Sequence, residues 1–363
     1  VNGKELKDRL EDLFSPQDTD WSLEALFSGF DFGPAPEVRE PEEVPPEAPQ
    51  PPRGREQGKS KTKKRRRFLP GFLSRGRLTI SLEPDEVRMM VVRGRGLSRW
   101  LSQPLPGDVL RGGEVVEPTA FGEALAAIVQ EAGAPARQAI VSLSGQRSLV
   151  RILTLPSVPP EMQAEAIQRE ARRELPVPLE ELYLSYQILD DQTTANMRVF
   201  TVGIPREAVE RCVAGLGVAG LRAVAMDLKP LALVRAVNLS NAIVANLEQA
   251  TDSVVLVRDF VPRITRSIAL PGAGKQSMAE RGENLAAEIE RTLEFYTSTG
   301  GAGASGWEPP VCLTGALAEE HEVVSRIASR WPLVDPSPPI PLPSALPVSR
   351  YMVNVGLAVK RLK

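Results

Sequence analysis

Histidine is nearly missing from this chain: one occurs in 363 residues, His321, inside the charged run EEHEVV. That excludes most zinc chemistry, which clusters imidazoles and thiolates. A Ser-His-Asp triad would have to use His321, and no GxSxG-like elbow accompanies it. Cysteine is almost as scarce. Cys212 and Cys312 lie far apart in apolar surroundings, so no disulfide framework is expected and a reducing compartment fits. Long hydrophobic runs are lacking as well: no uninterrupted stretch approaches the ~18–20 apolar residues that span a bilayer. The opening VNGKELKDRL lacks the apolar core of a signal peptide. A cytoplasmic protein is expected, with any membrane contact peripheral. Net charge is also low, −2, so the distribution of charge matters more than its sum.

What is present is strongly segregated. KELKDRLEDLF places Leu6, Leu10, Leu13 and Phe14 at helical spacing, and WSLEALFSGF does the same with Leu23, Leu26, Phe27 and Phe30. Residues 1–32 are read as short amphipathic helices that dock either on the body of the protein or on a partner, in the helix-in-groove manner. Residues 33–76 are read as a linker. PAPEVREPEEVPPEAPQPP holds eight prolines and five glutamates, a composition that builds no core and predicts a largely disordered extension. Seven basic residues then fall between Lys59 and Arg67, followed by Phe68-Leu69-Pro70-Gly71-Phe72-Leu73. Apolar side chains beside a basic block favour an anionic membrane surface over nucleic acid. No RNA-binding signature or base-stacking platform is visible, so no nucleic-acid partner is expected.

The folded body is expected from residue 77. RLTISLEPDEVRMMVVRG reads as a hairpin, 118–132 as an amphipathic helix, and QAIVSLSG and SLVRILTLP as strands. A helix opens at Pro159-Pro160-Glu161 and ends before Pro176. LYLSYQILDD, MRVFTVGIP and LRAVAMDL are further strands, with helices at 205–215 and in PLALVRAV. After Asn241 the pattern restarts: the hairpin VANLEQATDSVVLV, a return strand near 264–270, a helix over 282–297, the strand VCLTG, a helix near 318–330, a proline-rich loop and a last helix. Strands and helices alternate, and a hairpin opens each half, which predicts an α/β body of two similarly built halves.

The stretch LPSVPPEMQAEAIQREARRELPVPLEELYLSYQIL resembles the segment that marks the PilM family of type IV pilus assembly proteins. GLRAVAMDLKPLALVRAV, ANLEQATDSVVLVRDFVPRITRSIALPG, NLAAEIERTLEFYTSTGG, VCLTGALA and VNVGLAVKRL follow in the family's order. The later motifs are shared more loosely with cell-division actin homologues. The resemblance covers about residues 77–363 and leaves 1–76 unexplained. It implies an actin-like, two-lobed fold: a first lobe over 77–240 with a small subdomain inserted at about 152–222, a second lobe over 241–347, and a helix at 348–363 returning to the first. It also implies a cytoplasmic protein peripheral to the inner membrane. Such a protein would bind the amino-terminal peptide of a single-span, PilN-like partner in a groove by the insert, and through it reach pilus motor ATPases.

The resemblance further implies ATP with magnesium between the lobes, and here the residues depart from the pattern. The family's Asp-x-Gly-Ser turn reads Ser81-Leu82-Glu83-Pro84, its second Asp-x-Gly reads Asn246-Leu247-Glu248, and its Gly-Gly pair retains only Gly315. Two unit charges ~4 Å apart repel by about 4 kcal/mol at an effective dielectric of ~20. A micromolar site supplies about 8 kcal/mol altogether. Glu83 and Glu248 facing the cleft would therefore oppose a triphosphate, and Pro84 has no amide to offer one. The expectation is a degenerate, ATP-free cleft with no catalytic residue, no metal ligand and no enzymatic activity. If nucleotide binds, Asn246, Thr251 and Gly315 are the candidates, with Asp227 nearest the cleft by resemblance. The alternatives are an ATP-hydrolysing actin-like protein, a type II secretion platform protein or a cell-division actin homologue.

Overall fold

The computed structural model describes residues 76–360 apart from 95, 108, 134–136, 190–194, 271–275 and 300–305. The expected helices of 1–32, the linker of 33–76 and the basic block lie outside the described residues, apart from Gly76.

The first half opens with β1 (Arg77–Leu82) and β2 (Glu86–Arg93), joined by the three residues Glu83, Pro84 and Asp85. Next come β3 (Gly96–Pro104), the two-residue strands β4 (Leu110–Arg111) and β5 (Glu114–Val115), helix α1 (Pro118–Glu131) and β6 (Gln138–Leu143). Strand β3 is absent from the sequence reading because GLSRWLSQP is an edge strand with little buried surface, so it carries no apolar run. An insert follows: β7 (Leu149–Pro156), α2 (Pro160–Glu174), β8 (Leu182–Ile188) and β9 (Asn196–Pro205). It forms its own antiparallel sheet, ordered β7-β9-β8, with α2 against it. Helix α3 (Arg206–Val218) then returns to pack on α1, so the separate sheet spans 149–205, where an insert was expected at about 152–222. Strand β10 (Arg222–Leu228) and helix α4 (Lys229–Val237) close this half.

The second half repeats the order. It runs β11 (Asn241–Leu247), β12 (Thr251–Arg258), β13 (Val261–Ala269), α5 (Met278–Ser298), β14 (Val311–Thr314), α6 (His321–Ala328) and α7 (Val348–Ala358). Helix α5 starts four residues earlier than the apolar spacing suggested, because Ser277 and Glu280 form a reciprocal capping box. The main sheets are ordered β10-β6-β1-β2-β3 and β13-β12-β11-β14. In each, the hairpin strands are antiparallel and the strands after the helices are parallel. A single parallel bridge from Val311 to Leu333 stands where the second sheet would have its fifth strand.

Alternation along the strands explains the layering. Leu78, Ile80 and Leu82 face α1 and α3, whereas Met90, Ile140 and Ala225 face α4 and α7. Val244, Val255 and Val257 meet the same helix pair from the second sheet. Ile243, Ala245 and Leu247 turn outward to α5 and α6. The α4–α7 pair thus sits between two sheets, buried on both sides. At its crossing, a Cβ on Gly356 would overlap the Ala232 carbonyl, so only glycine permits this approach. No helix among the described residues is long and apolar enough to cross a membrane.

Candidate functional site

The two repeated hairpins point their turns at one another, and both turns begin with glutamate. The Glu83 N–H donates to the Glu86 carbonyl at 2.9 Å, and the Glu248 N–H to the Thr251 carbonyl at 3.0 Å. Each turn therefore uses internally the amide that an anion-binding corner would present, and Pro84 offers none. Both carboxylates are buried: Glu83 is 0% and Glu248 1% exposed.

Buried carboxylates need partners, because desolvation otherwise drives them to the neutral acid. Arg88 on β2 supplies one, forming a two-pronged ion pair with Glu248 whose Nη1–Oε1 arm is 2.9 Å. Its Nη1 also lies 3.9 Å from Glu83, and its Nε is 2.5 Å from Glu86. Lys229, the first residue of α4, bonds Glu83 and lies 3.9 Å from Glu248. Arg350 on α7 reaches Glu86 at 2.6 Å and gives its carbonyl to Arg88 at 2.7 Å. From the second lobe, Arg281 on α5 holds Asp252 and donates to the Glu248 carbonyl. The two carboxylates are thus compensated by cations. Glu83 and Glu248 face the junction of the lobes, where Arg88, distant in sequence from Glu248, and Lys229, distant from Glu83, meet them.

Of the remaining candidates, Ser81 lies at Glu83 and Asn246 at Glu248, whereas Asp227 pairs elsewhere. Ser81 donates to Glu83 at 2.7 Å. Asn246 donates to Glu248 at 3.2 Å and accepts from Thr314 at 3.1 Å. Gly315 has φ of 99°, and a Cβ there would run into the Leu247 backbone. Its glycine is thus required by the protein's own chain, and its N–H is taken by the Ser349 carbonyl at 2.8 Å. The neighbouring Ala316 N–H points at Glu248, 3.4 Å away. Thr251 is half-buried on the wall of a small void lined also by Glu83, Lys229, Asp252 and Ser253. Asp227 is buried and paired with Arg235 and, at 3.5 Å, with Lys360. Its lone-acid appearance in the sequence gives no hint of either partner.

The void measures about 20 Å³. That is room for roughly one water molecule, against the ~300–1,000 Å³ of ordinary ligand pockets. In this arrangement ion-paired side chains, and little open space, stand between the two turns. Among the described residues no group of acidic, histidine and cysteine side chains could hold a metal ion.

Electrostatics separates the two glutamates. Burial, with Glu248 nearby, pushes the Glu83 carboxyl above its ordinary range despite Lys229 and Arg88. Burial acts on Glu248 too, but Lys229 and the Arg88 hydrogen bonds outweigh it and hold that carboxyl below the ordinary range. Both cysteine thiols are pushed up to about 12 by burial and are unreactive at neutral pH.

A second concavity lies where the inserted sheet meets the first lobe. It has a volume of about 450 Å³ and is lined by Arg147, Val177, Glu181, Leu182, Arg206 and Glu207, with Pro205 at the hinge between β9 and α3. Arg206 stacks 4.2 Å from the centre of the Tyr183 ring, which fixes one wall.

Two lobes with repeated sheet order, sandwiching one helix pair and carrying a small inserted subdomain, define the actin-like fold. A solved PilM-PilN type IV pilus biogenesis complex has a chain of this fold that superimposes with a TM-score of 0.65 at 20% identity, covering 79% of this chain and 98% of that one. The protein EutJ of Carboxydothermus hydrogenoformans matches at a TM-score of 0.45 and 13% identity over 79% of this chain and 90% of its own. The cytoplasmic domain of EpsL, an inner membrane component of the type II secretion system of Vibrio cholerae, matches at 0.43 and 10% over 78% and 94%. Residues 92–268 match the family described as type IV pilus assembly protein PilM. Over those residues the chain is similar to the PilM family, and the fold it shares with the solved complex extends that likeness to the rest of the body.

Proposed function

We propose that this protein is a scaffold of the type IV pilus assembly platform that binds the amino-terminal segment of a PilN-like membrane protein and neither binds nor hydrolyses ATP. The match of residues 92–268 to the PilM family supports the pilus role. The observation that carries the nucleotide-free reading is the filled cleft, where ion pairs and a void of about 20 Å³ stand between the two hairpins. For the partner, the concavity beside the insert has the size and the mixed apolar and charged lining that suit a short extended peptide. The localisation proposed is peripheral to the inner membrane, with Lys59 to Arg67 against its anionic surface and residues 1–32 available to a further partner such as a motor ATPase.

Calorimetric titration of the full chain with Mg-ATP tests the cleft, and silence is expected. Micromolar binding would instead favour an ATP-regulated adaptor. Titration with the amino-terminal peptide of a PilN-like partner tests the groove. Val177→Trp, which would fill that concavity, is expected to weaken the peptide at least about tenfold, the effect of losing ~1.4 kcal/mol. Undiminished peptide affinity in Val177→Trp would remove the groove from the reading while leaving the cleft untouched.

A further inference from the structure

In a two-lobed fold that takes a ligand between its lobes, the ligand is what couples them: each lobe grips one part of it, and its loss lets the cleft open. Here the lobes grip each other. Arg88 belongs to the first lobe and Glu248 to the second. Their two-pronged pair is buried on both sides, with 1% of each side chain exposed. Lys229 in the first lobe stands between Glu83 and Glu248, one carboxylate from each hairpin. Asn246 and the Ala316 amide hold Glu248 from behind in its own lobe, as Ser81 holds Glu83 in the other. Glu86 and Arg350 extend the cluster to the start of α7. Arg88, Lys229 and Arg350 balance Glu83, Glu86 and Glu248, three charges of each sign.

We propose that this cluster replaces a bound nucleotide as the cross-link between the lobes, with Glu248 acting as a built-in anion that Arg88 and Lys229 clamp. The inference rests on the nucleotide-free reading of the cleft, since the cluster and a triphosphate compete for one space. A tethered carboxylate differs from a nucleotide in one physical respect: it cannot diffuse away, and hydrolysis cannot remove it. Its effective concentration at Arg88 is set by the fold itself. The cluster's Arg88–Glu248 and Lys229–Glu83 pairs, being buried, are screened by salt much less than surface pairs. The cleft therefore stays shut without any ligand, and the protein offers its partners one constant surface in place of an opening and closing pair. The α4–α7 helix pair, seated between both sheets, reinforces the same closed arrangement.

The test is a distance measurement across the lobes in the full chain. Spin labels at Glu123→Cys on α1 and Glu294→Cys on α5 sit on exposed outer helices, while Cys212 and Cys312 are buried. Pulsed electron resonance is expected to give one narrow distance distribution, unchanged by millimolar Mg-ATP. Arg88→Met in this background, checked for folding by circular dichroism, is expected to broaden the distribution and shift it to longer distance. Should Arg88→Met not fold, Glu248→Gln, which keeps shape but loses charge, is expected to produce the same broadening. A narrow, unshifted distribution in the folded variant overturns the cross-link, and so does a broad distribution in the natural protein that Mg-ATP leaves unchanged. A broad distribution that narrows on adding Mg-ATP overturns the nucleotide-free reading itself, so the two failures are told apart.

Discussion

At the scale of single residues, the informative positions are charges that stand where apolar side chains belong. Arg88 interrupts the buried strand EVRMMVVR, and Lys229 opens a helix whose described side chains are nearly all buried. A buried cation without a partner is costly, so each implies an anion nearby. That signal was legible in the sequence; the partner's identity was not, because Arg88 and Glu248 are 160 positions apart. Removing one side of such a pair leaves a stranded charge. Arg88→Met is expected to destabilise the protein by about 3–5 kcal/mol in denaturant unfolding. Gly315→Ala is expected to cost roughly 1–3 kcal/mol by the same measurement, because its φ of 99° is strained for alanine and the added methyl meets the Leu247 backbone. Glu248 also sets a pH dependence. Its carboxyl is held below the ordinary value of 4.5, so its contribution is complete above that value and is lost as pH falls through the lower, folded-state value. Glu83 is shifted the other way, so its contribution is present below 4.5 and lost as pH rises through its folded value. Melting temperature against pH is therefore expected to lose part of its acid-side decline in Glu248→Gln.

At the scale of elements, the periodic segments were the readable ones. The fully buried strands RLTISL, QAIVSL and NAIVANL and the helix following Pro160 are continuous in the sequence because both faces of a sheet, or one face of a helix, must be apolar there. Edge strand β3 escaped for the opposite reason. Close helix crossings escaped as well, since a small residue in a helix looks the same whether or not another helix touches it. Two such crossings depend on glycine: Gly356 of α7 against Ala232 of α4, and Gly122 of α1 against Gly215 and Val218 of α3. Gly356→Ala is expected to cost about 1–3 kcal/mol by overpacking, even though alanine is the better helix former. Thermal unfolding would show the sign directly: a rise in melting temperature would mean the helices have room to part.

At the scale of the whole molecule, two lobes share one buried helix pair and one ionic cluster, and this should make them melt together. Scanning calorimetry of the natural protein is expected to show a single transition for the described body. With Arg88→Met, the coupling falls to the α4–α7 pair, and the transition is expected to broaden or split. A split already present in the natural protein would mean that the lobes are thermodynamically independent.

The periodic elements, their order and the likeness to the PilM family were determined by the sequence alone, because periodicity and turn residues are local quantities and because the LPVPLEE and LKPLAL motifs are read as strings. Sequence also singled out the two corners, through glutamate standing where glycine was expected. What those glutamates do was decided only in three dimensions. A charge read along the chain is an anion facing a cleft; the same charge placed within reach of a guanidinium from the other lobe is one end of a strut. That difference depends on distance across the fold, a quantity set by how the two sheets close on the helices between them.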